Sequence, residues 1–194
     1  MSAPETPARA RLAWLRPFLE WDARWSERLR QSAQPSGLRR AAIFLAHSGD
    51  SWFWGIGLVL VWLIGDAGWK YRSAAIFLAI GLLAVVVQTL KWTFRRQRPP
   101  GEWGAIYRTA DPHSFPSGHA ARALMLAVFG LALGPAWFAL VLVIWGPLVA
   151  VARVVMGVHY VSDIVAGAGL GALFGLGLAL GHPALMALLP AWLF

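Results

Sequence analysis

Five runs of mainly apolar sequence, at about residues 41–65, 72–94, 117–134, 136–153 and 158–181, constrain this chain more than any other feature. Each matches the roughly 17–25 residues that a helix needs to cross the hydrocarbon core of a bilayer. In lipid every backbone N–H and C=O must find its partner within the chain, and runs of this length do so as helices. The charge content agrees: 13% of residues are charged, about half the share in a soluble domain. The expected fold is an all-α polytopic membrane bundle of about five to six transmembrane helices. The closing ALMALLPAWLF is apolar but too short to span unaided. It either lies in the interface or begins a sixth, incomplete helix.

The N-terminal part reads differently. Within residues 9–34, Trp14, Phe18, Trp21, Trp25 and Leu29 recur at helical spacing, with Arg16, Glu20, Arg24 and Arg28 on other faces. Such a segment is too charged to span. It suits an amphipathic helix at headgroup level, or one packed on the protein's own surface. The expected division is an N-terminal interfacial segment over 1–38 and a membrane-embedded domain over 39–194. The first residues lack the apolar core of a signal peptide, and the absence of cysteine excludes disulfide and thiolate chemistry.

The net charge is +8, with most of the Lys and Arg in segments that flank the apolar runs. That placement favours anionic headgroups or phosphorylated substrates as partners over nucleic acid. Residues 95–115 form a connection of about 20 residues between two spans, and connections beyond roughly 12–15 residues are usually functional or disordered. Two aromatics and a closing His-Ser-Phe-Pro-Ser-Gly-His favour function. Counting crossings puts this connection, the start of 117–134, the end of 136–153 and the start of 158–181 on one side. Lys91, His113, Ser117, His119, Arg153, His159 and Asp163 therefore converge on one membrane face.

These residue types suit one kind of chemistry. His159 and Asp163 are four apart, so a carboxylate can hold one ring nitrogen and leave the other free to attack. A helix-capping or packing role is the alternative. Lys91, Arg98 and Arg153 can clamp a tetrahedral oxyanion, while Arg95, Arg96 and Arg108 suit snorkelling to headgroups. Pro116 fits a helix start, whose first-turn amides at Ser117 and Gly118 make an anion site. His119 then stands ready to donate a proton to a leaving oxygen.

Taken together, KWTFRRQRP (Lys91–Pro99), PSGH (Pro116–His119) and ARVVMGVHYVSD (Ala152–Asp163) closely resemble the three motifs of the type 2 phosphatidic acid phosphatase family, related to vanadium haloperoxidases. One departure is Ala152, where the family pattern has serine. The resemblance covers about residues 40–181 and implies a metal-independent lipid phosphate phosphatase with no cofactor. It implies phosphate binding by Lys91, Arg98, Ser117, Gly118 and Arg153, attack on phosphorus by His159 oriented by Asp163, and proton transfer by His119. The implied substrate is a membrane lipid phosphomonoester or diphosphate of the polyprenyl diphosphate, phosphatidylglycerophosphate, phosphatidic acid or lipid A type. Alternatives on the same fold are a lipid phosphotransferase and a non-catalytic lipid-binding or transport relative. The family places its site on the extracytoplasmic face of the cell membrane, whereas the positive-inside rule points the other way.

Outside the motifs, His113 is either an entrance residue or an ordinary loop histidine, and Arg122, inside a membrane helix, is a candidate partner of substrate or of an acidic side chain. Asp50, next to His47, is expected to cap a helix beginning near Ser51. Gly167, Gly171 and Gly175 recur every four residues, which predicts a close-packing stripe.

Overall fold

The computed structural model describes residues 13–33 and 36–187. Among them a 3₁₀ turn, Ala13–Leu15, precedes the α-helices α1 (Arg16–Ser32), α2 (Ser36–Ser48), α3 (Ser51–Ile64), α4 (Ala67–Phe94), α5 (Glu102–Ala110), α6 (Gly118–Leu133), α7 (Ala136–Val155) and α8 (Val161–Ala187). Helices α4, α7 and α8 are long and apolar enough to cross a membrane, and α3 and α6 are shorter apolar helices. Residues 188–194 of the apolar tail, and residues 9–12 of the N-terminal segment, lie outside the described residues.

Three expectations change. The run at 41–65 is two helices, because Gly49–Asp50 breaks it between α2 and α3. The 95–115 connection holds α5, flanked by an antiparallel bridge of Gln97 with His113. The turn before α8 leaves His159 outside the helix that carries Asp163.

Helix α6 is the axis of the bundle. Ala120, Ala121, Ala123, Met125 and Leu126 on it are fully buried, between α7 and α8. The glycine stripe sets how α8 meets it. A Cβ at Gly167 or Gly171 would collide with the carbonyl oxygens of Ser117 and Ala121, and one at Gly175 would lie 2.9 Å from that of Met125. Three glycines at i, i+4 and i+8 thus ride directly on three α6 backbone positions at the same spacing. Around the outside, Phe77, Leu140, Ile144, Leu173 and Leu180 are each more than half exposed, an apolar girdle suited to lipid contact.

Helix α1 is built the other way round. Its aromatic stripe of Phe18, Trp21 and Trp25, continued by Trp14 of the preceding turn, is exposed, while Asp22 and Ser26 are buried. It lies against α7 and α8, polar side inward, because the groups it meets there are polar. The packed reading of this segment holds: the helix lies on the protein and turns its aromatics outward.

The register of α8 on α6 is testable. Gly171→Ala should lower the thermal unfolding midpoint markedly, by the equivalent of about 1–3 kcal/mol or more for overpacking. Gly169→Ala, with nothing within 4 Å of the added carbon, should be neutral or slightly stabilising. Equal tolerance of both changes would contradict the close approach.

Candidate active site

The residues singled out in the sequence meet at one end of the bundle, and each arrives there for a local reason. Helix α4 ends at Phe94, with Arg95 in a left-handed conformation (φ 49°) turning the chain back. From there the backbone is extended through Gln97, and Ser114 N–H donates to Arg96 C=O (2.8 Å). Extended backbone sends alternate side chains to one side, and here Arg96 and Arg98 turn inward while Gln97 is exposed.

Arg98 and Lys91 converge on one carboxylate. Arg98 Nη2 donates to Asp111 Oδ2 (2.9 Å), Arg98 Nε to Asp111 C=O (2.8 Å), and Lys91 Nζ to the same Asp111 Oδ2. Arg153, at the end of α7, donates to Tyr107 Oη (3.2 Å). The guanidinium carbons of Arg153 and Arg98 lie 4.7 and 5.4 Å from the Tyr107 ring centroid. Helix α5 therefore contributes an aromatic ring that both arginines contact. These residues, with Gly118, His119, Arg122 and His159, line a cleft of about 160 Å³.

In that cleft the tautomer of His159 follows from its neighbours. Arg98 Nη1 lies 3.2 Å from His159 Nε2, and a guanidinium can only donate. Nε2 therefore carries the lone pair, and the proton sits on Nδ1, which faces Asp163 Oδ2 at 3.4 Å. That contact is longer than a formed hydrogen bond, and Nδ1 has no other partner. Burial, and then the Arg98 and Arg153 charges, push the His159 pKa down to about 3 against the opposing pull of Asp163. At neutral pH the ring is an uncharged base.

Asp163 is held on every side. Arg96 Nη1 donates to Oδ1 (2.7 Å), Tyr160 N–H to Oδ2 (2.9 Å), and Ser117 N–H to its main-chain carbonyl (3.0 Å). Arg96 also donates to Ser162 Oγ (2.6 Å) and Asp22 Oδ2 (2.7 Å). Asp22 in turn accepts from Ser162 N–H (3.0 Å) and Ser162 Oγ (2.5 Å), and Ser26 Oγ accepts from Val161 N–H (3.0 Å). The first turn of α8 is capped by side chains of α1. Arg96 thus does not snorkel to headgroups; it joins two buried carboxylates.

Ser117 is spent on structure. Its amide serves Asp163, its hydroxyl caps Ala120 N–H (3.4 Å), and it is fully buried. Helix α6 begins at Gly118, so Pro116 stands one residue before the N-cap rather than in the first turn. The amides of Gly118 and His119 are the first-turn donors left without intrahelical acceptors. His119 Nε2 lies 2.7 Å from Asp50 Oδ1. Arg122 donates to Ser51 Oγ (2.6 Å) and to Gly49 C=O. His113 stacks edge-on against Trp92 at 5.1 Å and stays out of the cleft. Ala152 packs in an apolar cluster with Ala42, Ala46, Met156 and Val158.

Asp22, Asp50, Arg96, Tyr107 and Asp111 were not legible as site residues. All except Tyr107 and Asp111 pair with groups more than 65 positions away in the chain. The broken apolar run at Gly49–Asp50 was the one signal available.

The state of His159 has a measurable consequence. Its ordinary pKa is about 6.5, so between pH 6.5 and 3 the unfolded chain binds a proton that the folded protein refuses. Stability is therefore full above that window and falls as pH drops through it, by about 2 kcal/mol at pH 5 from this group. Thermal unfolding at pH 7 and pH 5 should show a smaller drop for His159→Gln than for the wild type. An equal drop in both would contradict a neutral buried ring.

Residues 72–187 match the model of the PAP2 superfamily. The chain is 33% identical over 147 residues to the decaprenylphosphoryl-5-phosphoribose phosphatase of Mycobacterium tuberculosis, over 72% of this chain and 77% of that protein. Its fold is similar to the transmembrane PAP2-type phosphatidylglycerolphosphate phosphatase from Bacillus subtilis, with a TM-score of 0.68 and 25% identity over 90% of each chain. It is also similar to LpxE of Aquifex aeolicus, with a TM-score of 0.62 and 27% identity over 84% of this chain and 93% of that one. The chain therefore belongs to the PAP2 superfamily, and it is a membrane lipid phosphatase.

Proposed function

We propose that the protein hydrolyses a lipid-borne phosphate ester through a phosphohistidine at His159. The observation that carries this reading is the shape and lining of the cleft. Lys91, Arg98, Arg153 and the two histidines form its polar end, and Ile80, Leu83, Ala84 and Val87 of α4 continue it as an apolar wall. From Lys91 to Ile80 a helix rises about 16 Å. A phosphate at the polar end leaves its lipid chain lying along that wall within the bilayer.

The chemistry then divides among the side chains. Lys91, Arg98 and Arg153, with the amides of Gly118 and His119, bind the phosphate and stabilise the charge of the transition state. His159 Nε2 attacks phosphorus as the P–O bond to the lipid breaks, and Asp163 steadies the charge that develops on the ring. His119 protonates the departing oxygen, then takes a proton from the water that cleaves the P–N bond and releases inorganic phosphate. Fixed cations fill the role that metal ions take in other phosphoryl-transfer sites. Asp111 sits on Lys91 and Arg98, so an arriving phosphate shares or displaces it.

For the substrate, we favour a phosphomonoester at the polar end of a polyprenyl or diacyl lipid. The relatives named for a decaprenyl-linked phosphoribose and for phosphatidylglycerolphosphate support that class. Purified protein in detergent, given a panel of such lipids and a polyprenyl diphosphate, should release phosphate equally well with and without EDTA. His159→Ala should lower the rate roughly a thousandfold or more. Release that needs added metal, or survives in His159→Ala, would overturn the mechanism. Folded protein that turns over no lipid phosphate would favour a binding role.

A further inference from the structure

The turn between α2 and α3 brings a second carboxylate to the site from outside the three motifs. Asp50 occupies the N-cap position of α3 in extended backbone (φ −67°, ψ 144°), yet its side chain caps no amide. Both oxygens go to imidazoles instead: Oδ1 to His119 Nε2 at 2.7 Å and Oδ2 to His47 Nδ1 at 3.1 Å. Burial alone would push the Asp50 carboxyl up, but hydrogen bonds from His119 and His47 outweigh it and hold the group well below the usual carboxylate range.

The seat of this carboxylate is built from several sides. Arg122 grips Ser51 Oγ and Gly49 C=O, and Trp145 Nε1 donates to Ser48 Oγ (2.8 Å). A Cβ at Gly49 would lie 2.8 Å from Val149 Cγ1 and 3.2 Å from His119 Cδ2, so only glycine lets the turn come this close to the ring.

Two chemical consequences follow. A carboxylate accepts and never donates, so His119 carries its proton on Nε2, and Nδ1 is the nitrogen that exchanges a proton with substrate and water. Second, a general acid must be an imidazolium, and four cations oppose that charge: Arg122 on its own helix, Arg153 from α7, Lys91 from α4 and Arg98 from the extended segment. The carboxylate of Asp111 is already shared by Lys91 and Arg98, and that of Asp163 by Arg96. Asp50 is the carboxylate in contact with His119 among the described residues.

We propose that Asp50, backed by His47, is the positioning residue that keeps His119 able to act as an acid: it fixes Nδ1 as the reacting nitrogen and supports the imidazolium against the surrounding cations. This rests on the acid–base role given to His119 above. In the step concerned, the Nδ1 proton passes to the leaving oxygen as the P–O bond breaks and the N–P bond to His159 forms. Water returns a proton to Nδ1 in the second half-reaction, so the ring ends each turnover as it began.

The test uses the leaving group. A lipid alkoxide needs a proton to depart, whereas p-nitrophenolate departs without one. The quantity to compare is kcat/KM, which reports through the step that breaks the P–O bond. Asp50→Asn should lower it roughly a hundredfold or more for the lipid phosphate, within the usual range for general-acid catalysis, and only about threefold for p-nitrophenyl phosphate. Its alkaline limb with lipid should move to lower pH, and Asp50→Glu should recover part of the loss. His47→Ala should show the same selectivity at a few-fold level, and it carries the test alone should Asp50→Asn not fold. Equal losses on both substrates, in whichever variant folds, would reduce Asp50 to a structural role and overturn the proposal. A wild-type protein inactive on both substrates would instead count against the phosphatase mechanism itself.

Discussion

Asp163 holds the site together. Its main-chain carbonyl takes the amide of Ser117 at the head of α6, its Oδ1 takes Arg96 from the segment after α4, and its Oδ2 takes Tyr160 N–H and faces His159. Three segments remote in sequence thus meet on one fully buried residue. A buried carboxylate is tolerated only when paired and hydrogen-bonded, and removing one partner of such a pair costs about 3–5 kcal/mol. The same Arg96 reaches Asp22, so the pairing that steadies Asp163 also fastens α1 across the head of α8.

Charge balance explains most of what surrounds that point. Lys91, Arg98, Arg122 and Arg153 come from four different elements and are all buried at one end of the bundle. Four like charges gathered this closely repel one another. The chain offsets this with internal acceptors: Asp111 for Lys91 and Arg98, Tyr107 for Arg153, and the Gly49–Ser51 turn for Arg122. These contacts keep the cations aimed at the cleft, so little reorganisation remains when an anion arrives.

The parts legible in the sequence were those with a short period or a fixed spacing. Apolar runs marked the helices, the Gly167–Gly171–Gly175 stripe marked the closest packing, and the convergence of Lys91, His119, Arg153 and His159 followed from counting crossings. What stayed hidden depended on charged side chains choosing distant partners. Arg95 and Arg96 are neighbours of identical type, yet one is exposed at the end of α4 and the other joins Asp22 to Asp163. Asp50 was legible as a helix start, and its backbone is one, but its carboxylate is drawn to His119 instead of the first-turn amides. Helix α1 showed its aromatic stripe plainly, while its buried face, Asp22 and Ser26, looked like any solvated polar surface.

The covalent route through His159 is tested most directly by trapping its intermediate. A single turnover of p-nitrophenyl phosphate labelled in the phosphate, whose leaving group needs no proton, would be run with the His119→Ala variant, in which breakdown of the intermediate is slowed, and quenched in alkali, where phosphohistidine survives. Attack by His159 Nε2 predicts label on the peptide that contains His159, lost on acidification and absent when His159→Ala is added. Label on another residue, or release of p-nitrophenolate with no labelled protein at any time, would contradict it.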